Sequence, residues 1–104
     1  MNAITDHISK LLLRAGCRIE WDGAETIHIR NILRVGGPDL RVQIATPRIL
    51  LHSTWFITHT YDIADPDLDN RLMADVRKLL DMTMSMLASV SKALYSPALR
   101  DWIE

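Results

Sequence analysis

The residues with chemistry to offer are four histidines, a run of aspartates, a set of arginines and one cysteine. Imidazoles titrate near neutral pH and ligate metals, so His28, His52 and His59 come first. His52 and His59 lie seven positions apart on one expected strand, an odd spacing that sends them to opposite faces. They cannot share a metal unless a bulge shifts the parity. His28 and His52 have the same parity relative to their apolar neighbours, which places both on one outer face. Two imidazoles without a third ligand do not make a zinc site.

Asp62, Asp65, Asp67 and Asp69 resemble the opening of a calcium loop. The rest of that loop is missing, because Asn70 stands where glycine is wanted and Val76 where a bidentate glutamate is needed. Carboxylates in the first turn of a helix, complementing its positive end, are the better reading. Cys17 alone forms neither an intramolecular disulfide nor a thiolate zinc site. It reads as a small buried apolar residue in a reducing compartment. Gly36-Gly37-Pro38 is not followed by a helix start and so lacks the dipole that a phosphate would use. No serine or cysteine nucleophile has a motif around it. The expectation is therefore a non-enzyme with no catalytic residue, no metal and no cofactor.

The elements that must position these residues follow from periodicity. Ile4, Ile8, Leu11, Leu12 and Ala15 recur at helical spacing, with Asn2 or Thr5 to cap the start and Gly16 to end it. This predicts a helix over about 3–15. Cys17, Ile19 and Trp21 alternate with Arg18 and Glu20, a short strand before the turn signal Asp22-Gly23. Asp22 with Glu25 resembles a helix capping box. Even so, Ile27, Ile29, Leu33 and Val35 share one parity, and strand over 25–35 is preferred. Leu40, Val42 and Ile44 make a third strand over 40–46, paired with the second through Gly36-Gly37-Pro38-Asp39. Ile49, Leu51, Trp55, Ile57, Tyr61 and Ile63 share parity and predict one long fourth strand, bent or bulged near Ser53. Asp65-Pro66 is a cap followed by proline at the first helical position. The stripe from Leu68 through Leu72, Val76, Leu79, Thr83, Leu87 and Val90 to Leu94 predicts a helix over 66–94. Ser96-Pro97 repeats the signal ahead of Ala98, Leu99, Trp102 and Ile103, a short terminal helix.

An N-terminal helix, a four-stranded antiparallel meander, a long helix and a short terminal helix make an α+β domain. At 104 residues the chain fits a single domain, 1–104, and 48% hydrophobic with 24% charged residues is ordinary for a folded one. No signal peptide and no membrane span are expected, which makes the cytoplasm the default location.

The arginines of the sheet region define a candidate basic face formed by Arg30, Arg34, Arg41 and Arg48. Helix, strands, helix resembles in outline the double-stranded RNA-binding domain, a family whose second helix begins lysine-rich. Here that start is Asp65-Pro66-Asp67-Leu68-Asp69, and the formal net charge is −1. Phosphate neutralisation supplies most of non-specific affinity, so nucleic acid is an unlikely partner and ranks second among the functions. Third is a small ligand-binding or enzymatic domain with a pocket between sheet and helix, using His28, His52 or Tyr61.

The leading reading rests on residues 82–91. They include Met82, Met84, Met86, Leu87, Ala88 and Val90 and carry no charge, with Asp81 and Lys92 on either side. Met82 and Met84 are about 200° apart on a helix. The serines and Thr83 do not make a clean outer face, so the segment is expected to be covered on both sides, by the terminal helix or by a second chain. Residues 14–48 hold six basic and four acidic side chains and residues 62–81 three and six, a complementarity that suits a dimer. The expected function is a small regulatory or adaptor protein that binds another protein and forms a homodimer. An inhibitor or antiactivator blocking the dimerisation surface of a larger regulator is a concrete case. Its interface would comprise Met82, Met84, Met86, Leu94, Leu99 and Trp102.

Overall fold

The computed structural model describes residues 2–31 and 39–94, with side chains to residue 89. The order is α1 (Ala3–Arg14), β1 (Ile19–Asp22), β2 (Thr26–Ile29), β3 (Leu40–Ala45), β4 (Arg48–Ser53), β5 (His59–Asp62) and α2 (Leu68–Leu94). The five strands form one antiparallel meander in the order β1-β2-β3-β4-β5. The architecture is α+β, with five strands where the sequence pattern predicted four.

The extra strand comes from the long run after Pro47. It breaks into β4 and β5, and residues 54–58 leave the ladder. Shared parity holds on the two sides of that break but not within it. Ile49, Leu51 and Tyr61 are buried, whereas Ile57 is 81% exposed. Trp55 and Ile57 therefore do not belong to the core.

Asn2 caps α1 by accepting from the Thr5 N–H at 2.8 Å. Gly16 ends it with φ of 84°, a left-handed conformation that glycine adopts without a side-chain penalty. Gly23, at φ of 72°, turns β1 into β2. Residues 26–29 are strand, so the periodicity prevailed over the capping-box resemblance. β2 pairs with β3 as expected. The strand was predicted to run to 35, but it ends at Ile29, and Arg30 and Asn31 are not strand. Residues 32–35, the turn at 36–38 and the terminal helix lie outside the described residues.

Strand period places alternate residues on the helix-bearing face. One inner row crosses all five strands: Trp21, Ile27, Val42, Leu51 and His59. Its three central members are fully buried. Against this face, α1 packs over β1 and β2 and α2 over β4 and β5, with the helices touching each other. Ile8 and Leu12 from α1, and Leu72, Val76 and Leu79 from α2, close the core.

The helix α2 begins two residues later than predicted. The Asp65 carboxylate accepts the Asp67 N–H at 2.9 Å, and the Leu68 N–H bonds back to the Asp65 carbonyl at 3.1 Å. The chain makes a tight turn there before the helical ladder starts. At 27 residues α2 is about 40 Å long, while the six-residue strands reach only about 20 Å. Leu68, Leu72, Val76, Leu79 and Thr83 are buried; none of residues 84–89 is. The helix therefore runs on past the sheet, and the molecule measures 54 × 24 × 22 Å.

Candidate functional site: an apolar groove beside the long helix

The distal part of α2 is uncovered among the described residues. Thr83 is buried and donates its hydroxyl to the Leu79 carbonyl at 2.7 Å. On the opposite side Asp81, Ser85, Ala88 and Ser89 are all exposed, an outer face that is polar apart from Ala88. Thr83 thus does not share an outer face with the serines, as expected, but the expected cover on both sides is not seen among the described residues. Met82 and Met84 lie on either flank of the core-facing stripe, and Met84 is 53% exposed. Of the remaining expected interface residues, Met86 is exposed and Leu94 is the last residue of α2. Leu99 and Trp102 fall outside the described residues.

Where α2 leaves the sheet, it meets the segment joining β4 to β5. Phe56 packs toward the core, while Trp55 and Ile57 project outward. A groove of about 500 Å³ opens between this segment and α2. Its walls are Trp55, Phe56, Ile57, Leu79 and Met82, and its polar members are His59, Asp75 and Lys78. The helical members stand at i, i+3, i+4 and i+7, the spacing of one helix flank. Both the size and the mostly apolar lining suit a binding site.

The polar end is organised around Asp75. Tyr61, 5% exposed, donates its hydroxyl to Asp75 Oδ2 at 2.5 Å. His59 Nδ1 stands 3.8 Å from the same oxygen, and its ring stacks near that of Tyr61. Burial, reinforced by the bond to a carboxylate, pushes the Tyr61 phenol well above the usual range. It is a fixed donor at neutral pH, suited to holding Asp75 rather than to proton transfer.

His28 and His52 cannot serve this groove. They lie on the other side of the sheet, in the outer row Glu20, His28, Arg41, His52. His28 stands 3.1 Å from Asp39 Oδ1 and 3.4 Å from Asp22 Oδ2, and His52 Nε2 is 2.9 Å from Gln43 Oε1. Partial burial and the Arg41 guanidinium hold the His52 imidazole below its usual range, so it is neutral at pH 7. Burial works to raise the Asp39 carboxyl, but the bonds from His28 and Arg41 outweigh it and lower it. The histidine at the groove is His59, which the sequence pattern left unassigned. Its spacing of two from the buried Tyr61 was the available signal.

The arginine face is locally neutralised. Arg30 Nε lies 3.1 Å from Glu20 and Arg41 Nη1 2.9 Å from Asp39, while Arg48 stands opposite Asp62 in the ladder. Arg34 is outside the described residues. With Arg30 and Arg41 paired and Arg48 opposite a carboxylate in the ladder, the described part of this face has little to offer a phosphate backbone. Gel shifts with generic duplex DNA or RNA at physiological salt should show no binding at low micromolar protein. A salt-sensitive shift that Arg30→Glu with Arg41→Glu abolishes would reverse that ranking.

The aspartates before and at the start of α2 are likewise committed. Asp62 accepts the Ala64 N–H, and Asp65 pairs with Arg71 at 2.8 Å in addition to its backbone bond. Those contacts, led by the backbone bond from Asp67, hold the Asp65 carboxyl below its usual range. Asp67 accepts from the Asn70 amide, and Asp69 lies 2.9 Å from His7. Among the described residues no three potential ligands gather into a metal site. Burial pushes the Cys17 thiol up, which makes it a poor nucleophile. No described helix is long and apolar enough to cross a membrane. No family model matches the chain, and neither a curated protein nor a solved structure matches it.

Proposed function

We propose that this chain is a small non-enzymatic regulatory or adaptor protein that binds another protein through the groove beside α2. One observation carries the reading. Trp55, Ile57, Met82 and Met86 keep large apolar side chains in water at the place where the helix leaves the sheet. Leaving a side chain of this size exposed forgoes about 1.5–3 kcal/mol relative to burial. Concentrated exposure of this kind marks interaction surfaces, and methionine adapts to the shape of a partner. An inhibitor that occupies the dimerisation surface of a larger regulator is one concrete form. A reducing compartment such as the cytoplasm suits the lone Cys17.

The test is retention of a protein from nuclease-treated extract by the tagged full chain. Ile57→Asp should release it while leaving the far-UV circular dichroism unchanged, because Ile57 makes no core contact. A partner retained equally by the variant overturns the groove as the binding surface.

A second reading, self-association, is favoured by the other flank. The core-facing stripe continues beyond the sheet with the half-buried Leu87, and Met84 lies exposed beside it. Two-fold contact between such segments would bury both. Sedimentation should then report a dimer, and Met84→Glu a folded monomer. A wild-type chain that stays monomeric at high micromolar concentration excludes the homodimer.

A further inference from the structure

We infer that the groove takes a short amphipathic segment whose apolar anchors are accompanied by a carboxylate, which pairs with Lys78. This deepens the docking reading above and rests on it. The three polar groups at the groove are not equivalent. Asp75 is already held by the Tyr61 hydroxyl and faced by His59. Lys78 is exposed and makes no ion pair among the described residues. The uncommitted charge at the rim is therefore positive, and the complementary partner charge is negative.

The size and shape of the apolar part decide what sort of molecule brings that charge. About 500 Å³ holds a few side chains and not a folded domain. The apolar surface also continues out of the groove, over Ile57 on one wall and along α2 from Met82 to Met86 one turn on. A small apolar acid would leave that extension in water, whereas a peptide segment with successive anchors covers it. Lys78 is one helical turn before Met82, so the carboxylate belongs within about one turn of an anchor. Anchors supply affinity and the ion pair supplies register and choice of partner.

The experiment is selection of displayed random peptides on the full chain, followed by anisotropy titration of the synthetic winners. Winners should pair two large apolar residues with a nearby Asp or Glu. Lys78→Glu should weaken them by roughly tenfold or more, and selection on that variant should return Lys or Arg at the same place. Ile57→Asp should abolish all of them. Lys78 is on the solvent side of α2, so its substitution leaves the core intact, and Lys78→Gln provides the intermediate, charge-neutral case. Winners that need Ile57 but ignore Lys78→Glu overturn the inference and leave the docking reading standing. A selection that yields no Ile57-dependent peptide overturns both.

Discussion

Leu72→Ala is expected to lower the unfolding free energy by about 2–5 kcal/mol, a large part of what a domain of this size possesses. Leu72 is fully buried where α2 crosses the sheet, and truncation leaves a cavity among side chains from both layers. In a dilute sample, below any association range, Met84→Ala should cost less than about 0.5 kcal/mol, because its side chain is already in water. Urea titration followed by far-UV circular dichroism measures both. The contrast is informative because Leu72 and Met84 lie on the same helix with similar side-chain volume. Equal costs would mean that the chain itself covers the Met84 flank, and the self-association surface proposed above would not exist.

The second large effect lies in the Tyr61–Asp75 pair. Asp75→Ala leaves a buried hydroxyl without its acceptor and should cost about 1–3 kcal/mol, whereas Asp75→Asn retains an acceptor and should cost less. The same pair sets an alkaline limit. The phenol titrates higher in the folded chain than in the unfolded one. Below about pH 10 both states are protonated, and the stabilisation is complete. Above that value the unfolded chain releases its proton first, so stability falls as pH rises. Tyr61→Phe removes this contribution and should flatten the decline. Because the buried Cys17 thiol is raised in the same direction, the comparison belongs in a Cys17→Ala background. An unchanged slope between about pH 10 and 11 would show that Tyr61 is not the group responsible.

The sequence by itself determined those elements whose burial is one-sided and periodic. α1 was legible because Ile8 and Leu12 repeat at helical spacing between an Asn2 cap and Gly16. Alternation alone settled β2 and β3, since Ile27, Ile29, Val42 and Ile44 must share a face. It also placed His28 and His52 together on the outer one. Period-two reasoning failed after Ser53 because parity keeps counting through residues that have left the ladder. Trp55 and Ile57 have strand-like composition, yet only the position of β5 against β4 shows that they project into solvent.

The groove depended on tertiary structure for the same reason. Trp55 and Met82 are 27 positions apart, and no local pattern links them. They meet because a helix longer than the sheet passes the end of β4 on its way out. The uncharged run at 82–91 did announce an unusual helix, and its methionines do stand exposed. Which side of it stays wet was fixed by where the sheet and α1 stop, because a helix face is buried only where another element lies against it and composition does not report how far those elements extend. Pairing decided the arginine face as well. Arg30 and Arg41 read as free cations along the chain; the β1–β2 hairpin brings Glu20 beside Arg30, and strand period sets Asp39, two residues before Arg41, on the same face as Arg41.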